Sequence, residues 1–232
     1  MTLCILCGQE TMYSLTASFI FSFKPIPKTT KCEKCTNLLI YLEKQVICPT
    51  CYRMQESHDL CEDCARWKKM YPTYPFSHQA LYAYNDPMKE WLEQYKFKGD
   101  IRLASVFVEE MRENLRPYIK NNFSLVPIPL NEKGMEERGF NQVEEMLVAA
   151  RLPYFSCLSK TSQIKRQSQK NRKERMESQQ PFYLEDDQYE WVKDKKFLLI
   201  DDVYTTGRTL FHAADLLIKN GAKEIKSFSV AR

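Results

Sequence analysis

The sequence lacks the features that would place it in a membrane or outside the cell. No apolar run approaches the roughly 20 residues of a transmembrane helix, and the opening MTLCILCGQE has no basic stretch followed by an apolar one. Glycine is also scarce, with six in 232 residues, and neither a GxGxxG nor a Walker A string occurs. We therefore expect a cytoplasmic protein without either of these nucleotide-binding loops.

Cysteine, in contrast, is abundant, and eight of the nine cysteines form four CxxC pairs within the first 64 residues. CxxC spacing lets both sulfurs of a pair face one ion, and two pairs complete a tetrahedral zinc site. A disulfide framework is less consistent with a chain that carries no secretion signal. We predict two structural zinc ions and no open coordination position, with Cys4, Cys7, Cys32, Cys35, Cys48, Cys51, Cys61 and Cys64 as ligands.

The pairing of these cysteines is open at this stage. Sequential pairing would give one ribbon from the first two CxxC pairs and a second from the last two, and a nested or cross-braced pairing is the alternative, which the sequence does not exclude. The zinc also changes the charge balance. The formal net charge is +4 at pH 7, and two zinc ions on eight thiolates would add about −4, so net charge gives little support for nucleic-acid binding. The remaining Cys157 is expected to be a buried apolar residue.

Residues 197–209, FLLIDDVYTTGRT, predict a buried strand, a turn and the start of a helix. The continuous apolar run 197–200 is typical of a strand covered on both faces of a parallel sheet. Asp201 and Asp202 follow at its carboxyl end, the edge at which open α/β sheets bind ligands. The apolar residues between 210 and 217 then recur with helical spacing.

This order of groups predicts a site for a sugar that carries a 5′-phosphate. The turn lies at a helix N-terminus, where free backbone N–H groups and the helix dipole favour an anion. Thr205, Thr206 and Thr209 add hydroxyl donors. Because two carboxylates would repel a phosphate, we expect Asp201 and Asp202 to accept bonds from sugar hydroxyls or to hold Mg²⁺.

The rest of the chain predicts an α/β fold with a Rossmann-like parallel sheet. Strands are expected over residues 80–84 and 124–128, with a helix after the first that is capped by Asp86 and a helix over 143–150 after the second. Residues 66–77 contain two prolines and are expected to link two domains. We therefore predict a zinc module over residues 1–70 and an α/β domain over 78–232.

Three polar segments carry further candidate residues. Arg138 lies in a loop after the strand 124–128 and could bind a pyrophosphate bidentately. The string YKFKGD, residues 95–100, puts two lysines around an aromatic at a helix end, where they would equally complement the helix dipole.

The third segment, 160–181, contains seven Lys or Arg against two acidic residues and is expected to be mobile. It could close over the ligand as a lid, follow a nucleic-acid backbone, or be a solvated insertion. The nucleic-acid candidates are Lys165, Arg166, Lys170, Arg172, Lys173 and Arg175.

The string LLIDDVYTTGRT resembles the PRPP-binding signature of the type I phosphoribosyltransferase family. The resemblance implies that Asp201 and Asp202 hold the ribose hydroxyls and that the turn wraps the 5′-phosphate. It also implies Mg²⁺ bound with PRPP, and a catalytic set of Asp201, Asp202 and Arg138. The implied PRPP-binding residues are Asp201, Asp202, Val203, Tyr204, Thr205, Thr206, Gly207, Arg208 and Thr209.

Taken together, the four CxxC pairs, YKFKGD, VPIPL…RGFNQ, the basic segment with Gln167 and Arg175, and the PRPP signature are similar to the ComF family. One departure is Ser178, which stands where the family's R-x-x-N stretch usually has asparagine. The resemblance implies a late-competence protein that binds PRPP and works with a ComFA-type helicase on incoming single-stranded DNA.

An active phosphoribosyltransferase with an unidentified acceptor is the alternative function, and a PRPP or nucleotide sensor is a third. A transferase needs a hood that recognises its acceptor. Only 23 residues follow Thr209, and they are expected to form a helix and the final strand. An acceptor site would therefore have to come from the zinc module or from residues 80–100, which makes turnover the less favoured hypothesis.

Overall fold

The computed structural model describes residues 2–11, 30–71, 77–161, 180–185 and 188–232. The amino-terminal elements are β1 (Thr2–Leu3), β2 (Glu10–Thr11), α1 (Glu33–Asn37) and α2 (Glu62–Met70). The larger part contains β3 (His78–Tyr82), α3 (Asp86–Phe97), α4 (Val108–Lys120), β4 (Phe123–Pro127), α5 (Glu132–Arg138), α6 (Gln142–Ala149), β5 (Leu158–Lys160), β6 (Phe182–Leu184), α7 (Tyr189–Val192), β7 (Lys196–Val203), α8 (Arg208–Lys219) and β8 (Glu224–Ala231). Short 3-10 turns cover Leu42–Lys44 and Ile101–Ser105.

The centre of the fold is a four-stranded parallel sheet in the order β3-β8-β7-β4. This confirms the predicted α/β class. The register pairs Pro127 with Ile200 and Asp201 with Ser229, so the carboxyl ends of three strands meet at one edge. The strand β7 also includes the two aspartates, which the sequence placed directly after it.

The apolar run of β7 is buried on both faces of the sheet, as its composition predicts. Leu198 and Ile200 belong to the core that α3, α4 and α6 cover, whereas Phe197 and Leu199 belong to the core under α8. The alternation follows from the two-residue side-chain period of a strand. The second core also contains the four cysteines between residues 48 and 64, so this part of the amino-terminal region packs on the sheet.

Several boundaries differ from the prediction because side-chain caps decide them. Asn85, not Asp86, is the N-cap of α3, and its side chain accepts a hydrogen bond from the Met88 N–H at 3.2 Å. The expected loop before Gly139 contains the helix α5, which Asn131 caps through the Gly134 N–H at 2.8 Å. Small polar residues at N-caps satisfy otherwise unpaired N–H groups.

Two other segments also differ. The helix α2 continues to Met70, so residues 66–70 are helical where a linker was expected, and residues 72–76 lie outside the described ranges. The antiparallel pair β5–β6 was not predicted. Within the described ranges, no helix combines the length and the apolar character needed to cross a membrane.

Candidate ligand site and metal centres

The acidic pair lies at the carboxyl edge of the sheet, on the last residues of β7. The Asp202 carboxylate is almost fully buried, and its Oδ2 accepts a hydrogen bond from Gln142 Nε2 and pairs with Lys96 Nζ, both at 2.7 Å. Asp201 is partly exposed, and its Oδ1 accepts a bond from the Asp202 N–H at 2.9 Å. Asp201 is therefore the carboxylate that an incoming ligand can reach more easily.

Three separate motifs of the sequence meet at Asp202. Lys96 belongs to YKFKGD at the end of α3, and Gln142 belongs to RGFNQ at the start of α6. The same glutamine accepts a bond from Arg138 Nη1 at 3.0 Å through its Oε1, and its backbone carbonyl accepts one from Tyr95 Oη at 2.7 Å. The structure thus places Arg138 one residue away from the acidic pair.

Lys96 and Gln142 lie within two of the polar motifs, but local sequence patterns assign neither residue a role. Each motif lies at the end of a helix. That both residues contact Asp202 is evident only from the fold, in which the sheet brings α3 and α6 to the carboxyl end of β7.

The environment of Asp201 raises the pKa of its carboxyl group. Although Asp201 keeps some exposed surface, desolvation by the protein atoms around it raises its pKa to about 7, and the negative charge of Asp202 adds to the effect. Lys96 and Lys160 oppose the increase through their positive charges. The protonated form of Asp201 is consequently more populated at neutral pH than that of an ordinary aspartate, and a ligand cation or a set of hydroxyl donors would favour its ionised form.

The turn between β7 and α8 needs a glycine at position 207. Gly207 has a φ of +79° and is the N-cap of α8, and a Cβ there would lie 2.2 Å from Tyr204 Oη. The turn therefore holds its backbone close to an aromatic ring that a larger residue would displace. The first N–H groups of a helix have no partner within it and so favour an anion, and the Arg208 N–H makes only a long contact of 3.5 Å with Thr206 Oγ1.

The side chains of the turn divide into two groups. Thr205, Thr206 and Arg208 are exposed, and Thr209 is partly exposed, so all four can reach a ligand. Tyr204 is buried, with its ring 4.4 Å from the His78 ring and 4.5 Å from the Arg232 guanidinium carbon. The Tyr204 side chain therefore packs under the turn, next to Gly207, and is not exposed to a ligand.

The turn is also tied to the second cysteine group. Trp67 of α2 donates from Nε1 to the Thr206 carbonyl at 2.9 Å, and its ring stacks on Phe211 at 4.0 Å. Arg232 donates from Nη1 to the Thr205 carbonyl at 2.9 Å and from Nε to the Cys51 carbonyl at 3.2 Å. Sequence reasoning missed both residues, since no local pattern links them to the turn.

The cysteines form two groups in sequential order, Cys4, Cys7, Cys32 and Cys35 first, then Cys48, Cys51, Cys61 and Cys64. The sulfur atoms of each group all lie within 4.8 Å of one another. The Cys7–Cys32 and Cys51–Cys61 sulfur distances are 3.7 and 3.6 Å. A tetrahedral zinc with Zn–S bonds of about 2.3 Å separates its sulfurs by about 3.8 Å, so both groups fit a structural zinc ion.

The predicted nucleic-acid residues between 165 and 175 lie outside the described ranges, as do Gln167 and Ser178. The two ends of this segment are described. Lys160 ends β5 and is close enough to Asp201 to influence its pKa, and Gln180 donates from Nε2 to the His212 carbonyl of α8 at 2.7 Å. Both ends are therefore anchored to elements that border the candidate site.

Comparison with known proteins matches residues 140–232 to the phosphoribosyl transferase domain. Competence protein ComFC of Streptococcus pneumoniae is 36% identical over 229 residues, which cover 99% of each chain. Competence protein ComFC of Bacillus subtilis is 34% identical over 234 residues, with 99% of this chain and 95% of the relative covered. Competence protein F of Haemophilus influenzae is 22% identical over 228 residues, with 87% and 96% covered. The matched domain contains Gln142, the acidic pair and the turn.

Proposed function

The chain belongs to the ComFC family of competence proteins, and on that premise we propose that it binds PRPP and single-stranded DNA during natural transformation. It would act in the cytoplasm with a ComFA-type helicase. A role in competence follows from the family, and a ribose-phosphate ligand is suggested by the phosphoribosyl transferase domain. The particular ligand, strand and helicase are our proposal.

The observation that carries the PRPP proposal is that Asp201, near the end of β7, and the Gly207 turn, at the start of α8, lie at the same edge of the sheet. A sugar 5′-phosphate needs anion-binding N–H groups, and the ribose hydroxyls need acceptors a few ångströms away. The partly exposed Asp201 is suited to accept from the hydroxyls, or from water bound to Mg²⁺, which supplies charge neutralisation for the pyrophosphate of PRPP.

The remaining groups of the network have distinct parts in this proposal. Lys96 and Gln142 hold the Asp202 carboxylate in place, since each contacts its Oδ2 at 2.7 Å. Arg138, held by Gln142 at 3.0 Å, supplies a guanidinium that matches pyrophosphate oxygens. Thr205, Thr206, Arg208 and Thr209 surround the 5′-phosphate.

The DNA proposal depends on the basic segment 160–181, whose described ends border the site. Binding should weaken steeply with salt, because Lys and Arg contacts to phosphates release counterions. We expect Arg172→Ala with Lys173→Ala to reduce the slope of log K against log salt by about 1.4, at about 0.7 per contact on a single strand.

The control for that variant is Lys193→Ala with Lys226→Ala, which removes the same charge. Lys193 pairs with Glu190 and Lys226 with Glu224, close to the amino-terminal ends of β7 and β8 and away from the site. If the slope of log K against log salt changes equally in both double variants, or if DNA affinity does not depend on salt, the segment 160–181 does not contact the DNA.

An active phosphoribosyltransferase is the second candidate, and a cleft favours it. The cleft has a volume of about 420 Å³ between α5 and the β5–β6 pair, and Leu130, Met135, Lys160 and Tyr183 help to line it. A cleft of this size accommodates a nucleobase acceptor, and the positive charge of Lys160, which lines it, lowers the pKa of Asp201 against the effect of desolvation.

A PRPP-consumption assay with candidate bases, run with and without single-stranded DNA, separates the two functions. The DNA-handling proposal expects bound PRPP that is not consumed under either condition. Consumption of PRPP with formation of a ribosylated base would establish the transferase in its place.

A further inference from the structure

The aromatic ring of Phe97 projects into solvent beside the candidate site. Phe97 is the last residue of α3 and is 76% exposed, more than any other large apolar side chain among the described residues. The buried stripe of this helix consists of Met88, Trp91, Leu92 and Tyr95. Phe97 does not belong to that stripe, so core packing does not account for an aromatic at this position.

Exposed apolar residues are common on protein surfaces, so exposure alone assigns Phe97 no role and its neighbours decide what the ring can bind. The preceding residue, Lys96, pairs with Asp202 at 2.7 Å. The guanidinium carbon of Arg138 lies 6.0 Å from the Phe97 ring centroid, and Arg138 reaches Asp202 through Gln142. Two independent chains of contacts thus connect the Phe97 position with the acidic pair.

The surface next to the ring is open and cationic. Lys98 and Gly99 are exposed, and a Cβ at Gly99 would meet no atom within 4 Å. Positive charge beside the ring comes from Arg138, whose guanidinium carbon is 6.0 Å from the ring centroid, and from the exposed neighbouring residue Lys98, whereas Lys96 is engaged by Asp202. A nucleobase with an adjacent phosphate needs an aromatic face and nearby cations, and Phe97, Arg138 and Lys98 supply these.

We propose that Phe97, with Arg138 beside its ring, is a stacking platform for a nucleobase at the entrance of the ribose-phosphate site. The base stacks on the aromatic face, and Lys98 meets the adjacent phosphate. This inference rests on the proposed function, since it assigns a base-binding position to the same site. The base can belong to a DNA strand or to a free nucleotide, and the chemistry of the contact is the same.

The test compares two strands of equal length, an oligothymidylate and an abasic strand with the same number of phosphates. Phe97→Ala should weaken oligothymidylate binding about tenfold, the size expected for one lost base stack, and leave the abasic strand unchanged. Tyr189→Ala is the matched control, because Tyr189 is an exposed aromatic that precedes β7 at the opposite edge of the sheet. It should change neither affinity.

A second variant guards against an indirect effect on folding. Phe97→Trp should keep the affinity for oligothymidylate, and its added indole fluorescence should be quenched by that strand but not by the abasic one. Quenching by thymidine monophosphate alone would identify a free nucleotide as sufficient, whereas quenching by the strand alone would identify DNA as the source of the base.

Unchanged oligothymidylate affinity in Phe97→Ala, or an equal loss on both strands, would overturn the inference. Calorimetry with PRPP on the unmodified chain tells the two proposals apart. A chain that binds strands through Phe97 without binding PRPP would refute only the ribose-phosphate part of the function. A chain that binds neither strand nor nucleotide would refute both the DNA part and this inference.

Discussion

Replacing Asp201 with asparagine should remove a pH dependence from the free energy of unfolding. Burial raises the pKa of this carboxyl from 3.8 to about 7. Between those values the folded chain binds more protons than the unfolded chain, so stability falls as the pH rises through this window. A group with a folded pKa of about 7 loses roughly 1 kcal/mol of stabilisation between pH 6 and pH 8.

The assay is urea unfolding of the zinc-loaded chain at pH 6 and at pH 8, for the native sequence and for Asp201→Asn. Asparagine can still accept the bond from the Asp202 N–H, so the variant changes the charge with little change in shape. The difference in unfolding free energy between the two chains should change by roughly 1 kcal/mol across this range, with the variant relatively more stable at pH 8.

The control is Asp215→Asn, which removes a carboxylate that pairs with exposed Lys219 on α8. Its unfolding free energy should change between pH 6 and pH 8 by the same amount as that of the native chain. If the unfolding free energy of Asp201→Asn also changes with pH as that of the native chain does, the pKa of Asp201 is not raised in the folded chain. Our assignment of its environment would then be wrong.

Two further predictions concern the turn and the metal centres. Gly207→Ala should destabilise the chain by roughly 2–4 kcal/mol in urea unfolding, through the positive φ and the contact with Tyr204, and should abolish PRPP binding; a neutral effect would refute the close approach. Metal analysis should find about two zinc ions per chain from the eight thiolates. Cys61→Ser should remove one and also weaken PRPP binding, since Trp67 and Arg232 link the second cysteine group to the turn. Cys7→Ser should remove the other zinc with less effect on PRPP, and equal losses would contradict this coupling.

The sequence predicted those parts of the fold whose pattern repeats over several residues. The run 197–200 gave the central strand, and the spacing of Met88, Trp91, Leu92 and Tyr95 gave the buried face of α3. The β5–β6 pair was missed because strands of three residues are too short for a period to show. The helix α5 was missed because its beginning depends on one cap, Asn131.

The candidate site was predictable only in part. The local strings identified the acidic pair and the glycine turn, since one segment of chain contains both. The partners of Asp202 could not be identified in the same way, because Lys96 and Gln142 lie on helices that only the sheet topology brings to this edge. The contacts of Trp67 and Arg232 with the turn likewise depend on how the second cysteine group packs on α8.

Calorimetry with PRPP and Mg²⁺ tests the central claim most directly, when it compares the native chain with Asp201→Asn/Asp202→Asn. Circular dichroism and zinc content should confirm that the variant is folded. We expect the native chain to bind PRPP and the double variant to show no measurable heat, because two carboxylates that could hold the ribose hydroxyls and Mg²⁺ become neutral amides, each with an NH₂ donor in place of one acceptor oxygen. A folded double variant that binds PRPP with native affinity would contradict the assignment of this edge of the sheet as the ribose-phosphate site.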